Sequence, residues 1–559
     1  MTMREFSDYF KTILFGVFLV VLPLFCGNYP NIFRSEIIYC VTLLFLCAFV
    51  ITGQVRNDSK ALDIAIFLFL LCSLLNLYFI KNGEFDRFII FKWLAVAGCY
   101  LVVKQLKCKQ IILYSLILSG CVQSMIAFLQ KAGILASNHV MFAVSGSFSN
   151  PGHLGGYLAV GAIVSICLLI NNIKTKNKLG VGLLMGCLMI QIGGIYLADS
   201  RAAFLGLTVG IATFCIPSIK KYKKLLFSTI IVLMIAAGIA LYFYRPASAN
   251  GRILIWRVST EMIIDKPFFG HGVGAFSEKY MIYQAKYFSE NPDSVFIPVA
   301  DNTAQPFNEL LKVTIQQGFV GLLLLLSIFY FAFRSKGNRI FQAALATLAI
   351  FSMFSYPSAV FPLLLLFPVC LGGLFDRSAL ANATSAQVCV VILCLFVGFF
   401  VAKDLIFIHR LSKSYESNNM LFFEQFYEKM RYNRTYHDYY MDWLIGQPHS
   451  DHSERIEKIL PSCENYCLLA EYFLVKNKPE QAEATLHIAV DMIPTRLRPK
   501  YLLWQLYVEM ENTPSALETA QTILVTPIKV ESVFTLKVKA QMKKYIDTSY
   551  VIAKLVPNR

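Results

Sequence analysis

Gly251-Arg252-Ile253-Leu254-Ile255-Trp256-Arg257 opens a polar stretch that runs on through Pro267-Phe268-Phe269-Gly270-His271-Gly272-Val273-Gly274 and closes on Gln305-Pro306-Phe307-Asn308-Glu309. From Arg245 to Gly321 it is the longest polar interruption in about 400 residues of near-continuous hydrophobic sequence. Arginine, tryptophan, glycine and amide side chains gathered between two hydrophobic spans describe a polar site at a membrane face. The apolar sequence on either side decides the fold.

The chain of 559 residues is 56% hydrophobic and 15% charged, with a mean hydropathy of +0.56. Soluble domains carry about 25% charged residues, so the composition alone places this chain among membrane proteins, with the lipid bilayer as a partner. Lys+Arg 51 against Asp+Glu 35 leaves a net charge of +16. That excess is spread over short loops, the pattern of membrane topology, and not gathered into the basic face that nucleic acid requires. Cys26 through Cys394 lie in or beside hydrophobic segments, where cysteine acts as a small apolar residue. Cys463 and Cys467 read as two core positions of one helix face, because no matching His or Cys pair follows them. Met1 to Lys11 leads into an apolar run without an A-x-A-like cleavage site, which makes it a first span and not a removed signal peptide.

A membrane helix needs about 20 apolar residues. Candidates fall at about 12–27, 36–53, 61–80, 86–103, 111–130, 154–171, 179–198, 202–218, 225–243, 316–333, 340–355, 357–375 and 386–405, the pair around Tyr356-Pro357 being either two spans or one broken helix. The expected fold is therefore all-α: a polytopic membrane protein with about 12–13 transmembrane helices. With a cytoplasmic N-terminus, sixteen Lys and Arg fall in inside loops, including Lys174, Lys176, Lys178, Lys220 and Lys224. Five fall in short outside connections: Arg34, Lys81, Arg87, Lys131 and Arg201. Positive residues resist translocation, so an odd span count leaves the large loop, about 245–308, and the tail outside the cytoplasm. The boundary falls near 409: residues 1–409 form the membrane domain and 410–559 a soluble helical one. Within the tail, Leu468-Leu469-Ala470-Glu471-Tyr472 returns 34 residues later as Leu502-Leu503-Trp504-Gln505-Leu506, with Ala482 and Ala516 at the same offset. Such a period resembles a tetratricopeptide repeat, a module whose concave face suits a protein partner; an irregular helical bundle is the plainer reading.

No phosphate-binding lysine loop, zinc spacing or Gly-x-Ser-x-Gly elbow is present. Gly270, Gly272 and Gly274 lack the strand context of a dinucleotide site and read as a tight turn bringing backbone N–H groups near an anion. Arg201, which starts a span directly after another ends, either snorkels to lipid headgroups or, with Arg252, holds a phosphate through paired donors. His271 is either a base or a turn residue beside Phe269. Trp256 is either an interfacial anchor or a stacking surface for a sugar ring. Asn308 and Glu309 open a span, as a cap and a first-turn acid or as site residues. Gly318 and Gly321 permit close helix packing. A second outer loop carries Gly146-Ser147-Phe148-Ser149-Asn150-Pro151-Gly152-His153, read as a turn or as a second wall of one pocket that would contribute Asn150 and His153.

In this order, Gly146-x-Phe148-x-Asn150-Pro151, Arg201-x-x-x-Leu205, Gly251-Arg252-x-x-x-Trp256, Pro267 to Phe276 and Asn308-x9-Gly318-x-x-Gly321 resemble the O-antigen ligase superfamily, which includes bacterial protein O-oligosaccharyltransferases and some O-antigen polymerases. The likeness covers roughly residues 140–325, and the multi-span layout extends it to about 400. It implies transfer of a glycan from a polyprenyl-diphosphate-linked donor to a protein or glycan acceptor hydroxyl, at the extracytoplasmic face of the bacterial inner membrane, with inversion and with neither metal nor other cofactor. It implies Arg201 and Arg252 as diphosphate ligands. The family's histidine directly before the asparagine is Phe307 here, so the base lies elsewhere, among Glu309, His271 and Asp301, or leaving-group stabilisation carries the reaction. The tail favours a protein acceptor over lipid A core or a growing polymer. A multi-span transporter of an anionic or lipid-linked substrate is the alternative from another class, but spans almost free of charge, with polar residues collected at one face, argue against it. A membrane-anchored scaffold would leave the Arg252 loop unexplained.

Overall fold

The computed structural model describes residues 3–26, 32–52, 60–82, 84–216, 246–375, 384–417, 424–445, 455, 460–529 and 531–555. Among the described residues every regular element is helical. In chain order they are α1 (Met3–Val21), α2 (Arg34–Thr52), α3 (Lys60–Phe79), α4 (Phe88–Gln105), α5 (Lys109–Lys131), α6 (Pro151–Lys174), α7 (Lys178–Leu197) and α8 (Arg201–Cys215). There follow α9 (Pro246–Asp265), α10 (Ala275–Glu290), α11 (Glu309–Arg334), α12 (Arg339–Ser352), α13 (Phe361–Gly373) and α14 (Thr384–Glu416). The tail holds α15 (Tyr427–Met430), α16 (Arg434–Ile445), α17 (Cys463–Val475), α18 (Pro479–Met492), α19 (Leu497–Glu509), α20 (Thr513–Val525) and α21 (Val533–Leu555).

Eight helices among the described residues are long and apolar enough to cross a membrane, and α8, α12 and α13 are shorter apolar ones. The chain is a polytopic helical membrane protein. Twelve of the thirteen expected spans coincide with a helix; the remaining one, at 225–243, lies outside the described residues, as do the basic residues 220–224 before it. Around Tyr356-Pro357 there are two helices, not one broken span. Pro357 opens a 3-10 turn and Pro362 stands in the first turn of α13, where a missing N–H is tolerated.

The described chain divides into two compact units. The first comprises Met1–Ala240, Phe307–Leu310 and Val320–Thr435. Its centre is α6, which packs on α5, α7, α8 and α12 and is 83% buried over its apolar window, against 17–50% in the other spans. Small residues make this possible: a Cβ on Gly155 would stand 2.1 Å from the Cβ of Ser200, so the first turns of α6 and α8 touch there. The loop before α6 is fastened by two buried glutamines of α5. Gln130 accepts from the N–H groups of Ser145 and Gly146 at 2.9 and 2.8 Å, and Gln123 accepts from Ser147 N–H and Oγ at 3.1 and 2.9 Å. Asn433, which opens a glycosylation-like triplet, is buried, its amide bonded to Glu36 and Asp86 at 2.8 Å each.

The second unit comprises Leu241–Pro306, Leu311–Phe319 and Tyr436–Arg559, so the large loop and the tail are one body. In it α10 packs on α18, and Gln284 of α10 donates to the carbonyl of Met492 at 2.6 Å. The 34-residue period is structural. α17 and α19 begin 34 residues apart, as do α18 and α20, and the turns of both pairs put a residue at positive φ, Asn477 at 54° and Glu511 at 56°. Ser462 and Asn512 cap their helices, and Ala482, Ala516 and Ala520 let the pairs close on Leu486, Leu503 and Leu506. Cys463 and Cys467 are buried free thiols on the inner face of α17.

Candidate functional site

In the second unit, the glycine turn is a packing device. His271 N–H donates to Ile315 O at 2.9 Å, Gly272 N–H to Gln316 O at 3.0 Å, and Phe319 N–H to Pro267 O at 2.8 Å. Two short segments thus pair across a break in α11 at Gly318, whose φ of 66° and ψ of −167° are not helical. A Cβ on Gly318 would meet Phe268 O at 2.1 Å, and one on Gly270, at φ 69°, would meet the Gln316 carbonyl carbon at 2.5 Å. Glycine is required at both positions by close approach and by left-handed φ. Since the N–H groups of His271 and Gly272 are already given to carbonyls, they do not cradle an anion. Gly274, at φ 89°, forms the left-handed turn into α10.

His271 is buried beside Tyr283, and its Nε2 lies 2.7 Å from Met262 O. That bond places the proton on Nε2. Burial holds the imidazole below its ordinary pKa, reinforced by Lys279 and Lys266 and opposed by the Met262 carbonyl and Asp265. Trp256 is half-buried and donates from Nε1 to Pro306 O at 3.2 Å, fixing the end of the loop. Asp301 is ion-paired with Arg496 at 3.1 Å and Lys529 at 2.8 Å. Burial pushes its pKa up, but the Lys529 bond and charge, the Asn302 N–H and Arg496 together hold the carboxyl below its usual range, which makes it a poor proton acceptor. Asp301 joins the loop to the tail. Arg252 is half-buried within α9, while Arg257 is exposed, its guanidinium 5.4 Å over the Tyr287 ring.

In the first unit, the motif around Asn150 builds the start of α6. Gly146 takes φ 61°, Phe148 is fully buried against Tyr157, and Asn150 Oδ1 accepts from Gly152 N–H at 2.7 Å, capping a helix that begins on Pro151. His153 follows in the first turn. It is buried, with neither ring nitrogen hydrogen-bonded to any described residue, and Tyr356 lies edge-on to it at 4.7 Å. The same tyrosine meets Phe307 edge-on at 4.9 Å. Phe307 has a positive φ of 54°, directly before Asn308 and the start of α11. Glu309 accepts from Ser358 N–H at 2.9 Å, and Lys92 donates to Ser358 O at 2.5 Å. Arg201 opens α8, one residue after the Ser200 that touches Gly155. The unit therefore gathers His153, Arg201, Phe307 and Glu309 with Tyr356, Ser358 and Lys92, three residues the sequence reading passed over. Tyr356 and Ser358 had no local signal beyond the proline turn. Gln123 and Gln130 did, as glutamines two helical turns apart in an apolar span.

These features describe a polytopic helical protein with polar groups collected at the starts of several spans. Residues 186–326 match the family model described as O-antigen ligase. The chain is 27% identical over 192 residues to a "Putative polysaccharide ligase" of Rickettsia conorii, covering 31% of this chain and 43% of that one. It is 25% identical over 197 residues to a protein of the same name in Rickettsia bellii, covering 32% and 45%. The alignments thus span less than half the length of these relatives. No solved structure matches the chain. Over this part of its length the chain is therefore similar to O-antigen ligases and to these polysaccharide ligases.

Proposed function

We propose that this protein moves a glycan from a polyprenyl-diphosphate carrier to an acceptor hydroxyl on the extracytoplasmic face of the bacterial inner membrane, with inversion at the anomeric carbon and, as in the family it resembles, without a metal. The observation that carries the reading is the O-antigen ligase match over 186–326, which encloses Arg201, Arg252 and Asn308. Diphosphate is a good leaving group, so the protein must chiefly position the acceptor and neutralise charge. Arg201 suits that task because its guanidinium adds to the positive end of α8. Arg252 suits it through the planar fork of donors that matches phosphate oxygens. The large loop and the tail being one body supports their lying on one side of the membrane, and the loop charges put that side outside. The paired helices of the tail support a tetratricopeptide-like module offering a concave face to a polypeptide, which favours a protein acceptor.

Purified protein supplied with a polyprenyl-diphosphate-linked oligosaccharide and with protein, lipid A core and polymer acceptors tests the reading. Wild type should consume donor and label one acceptor. Arg201→Ala and Arg252→Ala should each lower transfer about 10²–10³-fold, and Arg→Lys should recover little, since an ammonium is a point charge. Arg252→Ala within a few-fold of wild type removes the diphosphate assignment. Absence of donor turnover by wild type removes the transferase reading itself.

A further inference from the structure

A neutral imidazole carries one N–H donor and one lone pair, and leaving either unmet in a buried place costs roughly 1–3 kcal/mol. His153 is 3% exposed, and neither ring nitrogen has a partner among the described residues. Phenylalanine or leucine would fill the space beside Tyr356 without that cost, so packing does not account for a histidine. Its surroundings do point to a use. His153 stands in the first turn of α6, which touches the start of α8, where Arg201 is the first residue, through Gly155 and Ser200. Its ring is covered by half-exposed Tyr356, which also contacts Phe307. Glu309, the nearby carboxylate, already accepts from Ser358 N–H and thereby holds the same 353–360 turn in place.

We propose that His153 is the group that takes the proton from the acceptor hydroxyl, reached when the Tyr356 ring turns aside. This rests on the transferase reading above. In the step, the acceptor oxygen forms a bond to the anomeric carbon and gives its proton to the free ring nitrogen of His153. The bond from that carbon to the diphosphate oxygen breaks, and its electron pair leaves with the diphosphate. Arg201, on the touching helix, lies at the same end of the unit for the departing charge. Glu309 keeps the turn that carries Tyr356 and takes no proton.

The test uses the full-length protein, the lipid-linked oligosaccharide donor and the acceptor that wild type labels. His153→Gln and His153→Phe should each lower kcat about 10²–10⁴-fold, the range lost with a general base, while the KM for donor stays within about threefold of wild type. Added azide, a nucleophile with no proton to lose, should restore donor cleavage in both variants and release the glycosyl azide. A purely structural role would not be rescued in this way. Transfer by either variant within about fivefold of wild type, or cleavage that azide fails to restore, overturns the proposal and leaves the transferase reading standing. Loss of the folded protein in both variants assigns His153 to structure and also overturns it. Wild type that turns over no donor overturns the transferase reading, and the role of His153 falls with it.

Discussion

Lys500 is the residue whose burial most directly sets a pH dependence. It lies in α19, 8% exposed, donating from Nζ to Thr526 Oγ1 at 2.7 Å. Desolvation lowers its pKa from 10.5 to about 8. Between those values the unfolded chain holds a proton that the folded chain does not, so stability rises as the pH climbs from about 8 to about 10.5. Below about 8 the ammonium is buried at full penalty, on the order of 3 kcal/mol for a shift of this size. Lys500→Met, which fills the same space without charge, should stabilise this part of the tail at pH 7 and gain little at pH 10.5. Hydrogen exchange of the α19 and α20 amides in the full-length protein reads both effects, and slower exchange at pH 7 is the expected result. The same scale shows why Asp301 and His271 differ from what their residue types suggest. A carboxylate and an imidazole in a polar loop are candidate bases by chemistry alone. Asp301 has instead been taken up by Arg496 and Lys529, while His271 gives its Nε2 proton to Met262 O and keeps the lone pair of a buried Nδ1.

At the scale of elements, the break in α11 is the feature with the largest expected sensitivity. Gly318 combines a left-handed φ with an approach so close that an added Cβ would stand 2.1 Å from Phe268 O, whereas a Cβ on Gly274 meets nothing nearer than Glu278 Oε1 at 3.4 Å. Gly318→Ala should therefore destabilise the second unit by about 2–5 kcal/mol, combining the cost of left-handed backbone with that of overpacking. Gly274→Ala should cost only the backbone term, about 1–2 kcal/mol. Thermal unfolding in detergent, with hydrogen exchange across 267–272 and 315–319, separates the two; equal losses would remove the close-approach argument. Helix starts behaved differently from this break. The turn at Asn150-Pro151-Gly152 and the 34-residue period in the tail were legible in the sequence, because turns and periods are local, whereas the cap that Asn150 gives α6 came only with the structure. The pairing of 267–272 with 315–319 was not, because nothing in either segment names a partner about 45 residues away.

For the whole molecule, the union of the large loop with the tail makes a topological prediction: cysteines placed at Ser289 and Lys543, both exposed, should react alike with an impermeant reagent in intact spheroplasts. Labelling of both above the wild-type background is expected from the loop charges. Protection of both would invert the orientation, and labelling of only one would break the single body. By itself the sequence determined the all-helical membrane class, the places of twelve described helices, eight of them long and apolar enough to cross a membrane, and the turn before α6, since hydropathy and proline act within about 20 residues. The family motifs singled out the candidate residues of the site. Only the tertiary structure decided their tasks. It spent the glycine turn on a helix break, paired Asp301 with the tail, set Glu309 to hold Ser358, and put His153, without a hydrogen-bond partner among the described residues, under Tyr356 beside the start of α8. Those outcomes depend on which distant segments meet, and a side chain's hydrogen-bond partner and burial are fixed only when they do.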